Sequence, residues 1–122
     1  MYELRIETNF SAAHNLRNYE GACERLHGHN WHVEVNVTAE KLNETEMALD
    51  FKVMKKETNK VIDRLDHYYL NEKEPFDVLN TTAENIAKYI YDELAKNLND
   101  GNVKVSKIRV WESEKAAASY YE

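Results

Sequence analysis

His27-Gly28-His29 places two imidazoles at positions i and i+2. On an extended segment such side chains leave the same face with Cα atoms about 6.5–7 Å apart, so both can reach one metal ion. His14 joins them on the parity of Phe10 and Ala12, where an antiparallel neighbour would bring it beside the pair. Three neutral imidazoles would hold one zinc ion per chain and leave a coordination position open, which is the catalytic rather than the structural arrangement. Taken alone, His14 reads equally as a loop histidine bonded to backbone. His32 has the opposite parity from His29 and reads as a non-ligand.

Cys23 precedes His27 by four residues and has two chemical readings. As a fourth ligand it would close the zinc site and make it structural; beside the zinc it would be a base or nucleophile. The third reading is an inert buried thiol. Asp66-His67 sets a carboxylate beside an imidazole, a pair that can fix the ring tautomer and move a proton, or can simply be a solvated helix end. Glu112 shares the parity of Ile108 and Val110, which puts it on the core-facing side of a strand. A carboxylate there is costly unless a protein cation or a ligand with adjacent N–H donors pairs with it, and a strand at a subunit seam would allow the second.

The elements that must position these groups follow from hydrophobic periodicity. Tyr2, Leu4 and Ile6 alternate with Glu3, Arg5 and Glu7, the pattern of a half-buried strand running to Phe10; Trp31, Val33, Val35 and Val37 repeat it to Thr38. These two strands are expected to pair antiparallel. The histidine-bearing connection between them is longer than a hairpin needs, as functional loops are. A helix is expected from Asp50, its N-cap, to about Asp66, with Phe51, Met54, Thr58, Val61, Ile62 and Leu65 on one face. Thr81-Thr82-Ala83-Glu84 has the capping-box pattern, with Asn80 or Thr82 as the cap of a second helix bearing Ile86, Ala87, Ile90, Leu94 and Leu98. Val103 and Val105, then Ile108 and Val110, form a strand whose phase changes near Ser106-Lys107, as a bulge would cause, and a last strand lies near Ala117 to Tyr121. The expected class is α+β: a four-stranded antiparallel sheet, ββααββ, with both helices on one face.

Composition bounds the function classes. The 122 residues, with three Gly and one Pro and no repeat, fit a single domain spanning 1–122. Sixteen Lys and Arg against 22 Asp and Glu give a net charge of -6, with no basic cluster, which argues against a nucleic-acid footprint. No apolar run is long enough for a membrane span, and Met1-Tyr2-Glu3-Leu4-Arg5 does not open like a secretory signal. A lone cysteine sits most easily in a reducing compartment, so the expected location is cytoplasmic.

Across nearly its whole length the sequence resembles the 6-pyruvoyl-tetrahydropterin synthase family, and within it the bacterial 6-carboxy-tetrahydropterin synthase branch of queuosine biosynthesis. The resemblance rests on the segments Phe10–His14, Cys23–Asn30, Leu49–Phe51, Leu65–Asn71, Thr82–Asn85 and Val110–Ser113, in that order and spacing. It implies His14, His27 and His29 as zinc ligands, Cys23 as catalytic base, and Asp66 with His67 as the second proton-transfer pair. It also implies Glu112 as the anchor of the pterin ring, with Thr82 helping to hold it. The three residues between Cys23 and His27 resemble the bacterial spacing, whereas the family's usual proline before the threonine is here Thr81. The implied fold is the tunnelling fold, trimerising into a barrel, with two trimers stacked as a homohexamer and active sites between subunits.

The implied activity is that of a zinc-dependent lyase converting 7,8-dihydroneopterin triphosphate to 6-carboxy-5,6,7,8-tetrahydropterin, acetaldehyde and triphosphate. Two alternatives stand beside it: 6-pyruvoyl-tetrahydropterin formation, and a non-catalytic binding module with a closed structural zinc.

Overall fold

The computed structural model describes residues 1–122, and its frame is one antiparallel sheet. β1 (Tyr2–His14), β2 (His27–Ala39), β3 (Val103–Ser113) and β4 (Ala116–Tyr121) lie side by side in chain order. The helices α1 (Phe51–Ile62) and α2 (Ala83–Leu98) connect β2 to β3. No helix is long and apolar enough to cross a membrane.

The alternating apolar residues of β2 decide which face is covered. Trp31, Val33, Val35 and Val37 are fully buried, Phe10 of β1 stacks on Trp31 with ring centroids 5.9 Å apart, and Ile108 and Val110 continue the surface on β3. Against it pack Ile86, Ile90 and Leu94 of α2 and Met54 and Val61 of α1, so both helices share one face, as expected. The phase change in β3 is also present: opposite Asn36 and Val37 the ladder passes from Lys107 to Val105, and Ser106 bulges out.

Three boundaries differ from the sequence expectation. β1 continues past Phe10 to His14 and β2 begins at His27 rather than Trp31, because the two strands stay in register through Ser11↔Asn30, Ala12↔His29 and His14↔His27. The outer edge of β1 there is closed by the segment after α1. Ser11 N–H donates to Asp66 Oδ1 (2.9 Å), His67 N–H to Ser11 O (2.6 Å) and Ala13 N–H to Tyr68 O (3.1 Å). These bonds satisfy backbone groups that a bare edge would leave open.

α1 ends at Ile62 rather than near Asp66, since Arg64 and Leu65 already bond three residues back and His67 takes a left-handed φ of 64°. Its Asp50 cap is as expected, accepting from Lys52 N–H at 2.8 Å, but Phe51 is half exposed and the buried residues begin at Met54. α2 is capped by Thr82, which accepts from Asn85 N–H at 3.1 Å. The capping box of Thr81 with Glu84 does not form, because Thr81 is buried and its hydroxyl is engaged by Asn15 and Asn71.

Ile90→Ala, at the centre of the α2 contact, should cost about 2–5 kcal/mol in urea unfolding with the m-value unchanged. Phe51→Ala should change stability by less than about 0.5 kcal/mol; equal losses would contradict this packing.

Candidate metal centre and active site

The register of β1 on β2 makes the site. His14 lies directly across from His27, and Ala12 across from His29, so the three rings meet at one end of the sheet with centroids 4.5, 4.7 and 5.1 Å apart. All three are on the face that buries Trp31, and His14 is only 1% exposed. The i, i+2 geometry expected for His27 and His29 is therefore present on a true strand. His32 is on the opposite face, its Nε2 2.7 Å from Glu7 Oε1, apart from the other three.

Backbone acceptors orient two of the rings. His14 Nδ1–H donates to Thr81 O (2.8 Å) and His27 Nδ1–H to Arg25 O (2.7 Å); a carbonyl can only accept, so in both rings Nε2 carries the free lone pair. Nε2 of His14 and of His29 are buried without a hydrogen bond. Buried orphan nitrogens from rigid strands, converging with His27, are what a metal ion would satisfy, and neutral nitrogen donors suit zinc. Burial holds both His14 and His29 below the ordinary imidazole range, keeping them in the neutral form that binds metal.

Glu112 joins this group within the same chain. It falls in an irregular step of the β3–β4 ladder, between Trp111↔Ala117 and Ser113↔Ala116, and its Oε1 is 3.0 Å from His29 Nε2 and 3.5 Å from His14 Nε2. The donor atoms of His14, His27, His29 and Glu112 all lie within 4.8 Å of one another.

Cys23 sits outside that group, in the short helical turn Ala22–Glu24, half buried, with its carbonyl accepting from Leu16 N–H. Asp66 and His67 do meet, Oδ1 to Nδ1 at 3.0 Å, and the Ser11 N–H holds the Asp66 carboxyl below the usual carboxylate range. His67 itself projects into solvent at 81% exposure. It shares the wall of an open cleft of about 500 Å³ with His29, Gly28 and Asn30. Thr82 stands at the start of α2 as its cap, with the hydroxyl proton not used in that bond.

Three residues that hold the site were not singled out by sequence chemistry. Asn71 donates to Asn15 O and accepts from Asn15 N–H and Thr81 Oγ1–H, while Thr81 also presents its carbonyl to His14. Asn71 was quoted only as part of a motif; a backbone acceptor such as Thr81 O leaves no signal in residue type. Arg17 is spent on the carbonyls of Leu79, Asn71 and Phe76.

Residues 3–122 match the family model described as 6-pyruvoyl tetrahydropterin synthase. The chain is 35% identical to a Synechocystis 6-carboxy-5,6,7,8-tetrahydropterin synthase over 99% of its length and 94% of the relative's. It is 38% identical to a Pyrococcus furiosus dihydroneopterin monophosphate aldolase over 85% of its length and 83% of the relative's. Among solved structures, Caenorhabditis elegans 6-pyruvoyl tetrahydropterin synthase superposes with a TM-score of 0.87 at 26% identity, covering 99% of this chain and 95% of that one.

Two outcomes are expected for the metal centre. Replacing His27 or His29 by Ala should remove most of the one equivalent of zinc measured by atomic absorption, and full retention in both variants would reject the centre. Since burial lowers the folded-state values of His14 and His29, the unfolded chain binds more protons. The metal-free protein should therefore lose stability as pH falls from about 6.5 toward those depressed values, read as a falling midpoint in thermal melts.

Proposed function

Because the chain belongs to the 6-pyruvoyl tetrahydropterin synthase family, and three rigidly held imidazoles converge at one point, we propose a zinc-dependent lyase acting on 7,8-dihydroneopterin triphosphate. Its products are 6-carboxy-5,6,7,8-tetrahydropterin, acetaldehyde and triphosphate, formed with uptake of water. The convergence of His14, His27 and His29 carries this reading, since it brings three nitrogen donors to one point.

His14, His27 and His29 hold the zinc, which when bound polarises substrate oxygens and makes the adjacent C–H and O–H groups more acidic. Cys23 takes a proton as base. Its position outside the cluster of donor atoms supports this role over that of a fourth ligand. His67, oriented by Asp66, relays the second proton, and the fixed pairing of Asp66 with the Ser11 N–H keeps that carboxylate ionised for the task. Glu112 binds the 2-amino and ring N–H groups of the pterin as a charge-assisted bidentate pair, and the Thr82 hydroxyl adds a donor. Ring binding decides which side-chain carbon faces the metal, triphosphate leaves by elimination, and a retro-aldol cleavage releases the two-carbon fragment.

His67 is largely exposed and lies outside the cluster of metal-donor atoms of its own chain, which supports the assembly expected for the family: trimers that close a barrel and stack as a homohexamer, with sites between subunits. The lone cysteine and the pterin substrate are consistent with a cytoplasmic enzyme.

A second reading keeps the same site and changes the substrate, because the relative at 38% identity is named an aldolase of the monophosphate. Mass analysis of the products from triphosphate and monophosphate separates the two. In the same assay Cys23→Ala should keep one zinc per chain while product formation drops by about 10²–10⁴-fold. A variant that lost its zinc, or that turned over like the parent, would reject Cys23 as the base.

A further inference from the structure

Glu112 borders two places at once. On one side its Oε1 lies 3.0 and 3.5 Å from the Nε2 atoms of His29 and His14, and with His27 these donor atoms all lie within 4.8 Å of one another. In a tetrahedral zinc site with bonds of about 2.0–2.2 Å, neighbouring donor atoms stand roughly 3.3–3.6 Å apart, so the 3.5 Å contact with His14 has the spacing of two ligands on one ion and the 3.0 Å contact with His29 is a little short of it. On the other side Glu112 lines a cleft of about 290 Å³ with Glu84, Ala83, Ala116, Ala117 and Ala118, at the start of α2 beside Thr82. The small side chains leave room for a flat ring. The irregular step of β3 at Glu112 lets the side chain turn without breaking neighbouring ladder pairs, and the side chain is one-third exposed.

We infer that Glu112 is a shared ligand: it occupies the fourth position of the metal in the resting protein and turns into the alanine-walled cleft when a pterin ring binds, opening the metal to substrate. The inference rests on the pterin-anchoring role proposed above for Glu112. One carboxylate cannot serve both partners fully, so the ring and the metal compete for it. Each should then weaken the other's binding by the same factor, as linkage requires. The consequence for the reaction is order: the coordination position opens only where a ring has been recognised, which keeps the metal from binding stray anions.

Cobalt(II) in place of zinc and 6-methylpterin, which has the ring but no side-chain oxygen, test this on the full chain. In the parent protein 6-methylpterin should change the visible bands of cobalt by altering its coordination, and should loosen cobalt. Glu112→Ala should start from a different cobalt spectrum that 6-methylpterin leaves unchanged, and should bind cobalt roughly 10–100-fold more weakly, at least the effect of losing a ligand-supporting group. Glu112→Gln, of equal size, should fold like the parent in circular dichroism and share the altered spectrum. Identical cobalt spectra in parent and both variants overturn the inference while leaving the pterin reading intact. A parent protein that binds cobalt but not 6-methylpterin removes the anchoring role, and the inference with it.

Discussion

The pairing of β1 with β2 over thirteen consecutive residues is the constraint from which the candidate site follows. Side chains in a strand alternate with a period of two, so a slip of one residue would turn His14 away from His27 and His29 and put Arg5 or Glu7 in place of Ile6. The slip is prevented at both ends of the pairing. Trp31, Val33, Val35 and Val37 are fully buried against the helices, and the Asp66–Tyr68 segment grips the outer edge of β1 at Ser11 and Ala13. The spacing of the donor atoms is thus a by-product of packing that the core enforces for its own stability.

Such a site carries a cost in the metal-free chain. Each buried nitrogen left without a partner forfeits about 1–3 kcal/mol of desolvation, and His14 and His29 each leave one. The surrounding structure prevents relaxation: Thr81 O holds the His14 ring, Asn71 ties Thr81 to the backbone of Asn15, and Arg17 closes the same segment onto three carbonyls. The polar network behind the histidines is satisfied, and within this part of the molecule the unsatisfied atoms are the Nε2 nitrogens of His14 and His29. That asymmetry distinguishes a prepared binding position from a packing defect.

What was legible in the sequence had a side-chain period or a side-chain chemistry. α2, the bulge near Ser106, the common face of His27 and His29 and the opposite face of His32 all follow from spacing, and the structure has each of them. The extensions of β1 and β2 were not legible, because Ser11, Ala12, Ala13, Gly28 and Asn30 have little strand propensity and are extended only through their pairing. Phe51 followed the helical stripe but belongs to a first turn that adds nothing to the core. The contact of Glu112 with the histidines needed two facts no local pattern holds: the register of β3 on β2, and an irregular step of β3 two strands away from His14. The support from Thr81 was hidden because it comes through a carbonyl.

The account turns on what surrounds the metal. X-ray absorption at the zinc edge of the zinc-loaded protein reads the ligand set directly, because a zinc–sulfur distance of about 2.3 Å is well separated from zinc–nitrogen and zinc–oxygen distances near 2.0–2.2 Å. The account predicts three imidazole nitrogens, oxygen completing the shell, and no sulfur. A sulfur shell from Cys23 would contradict it, closing the site and making the zinc structural.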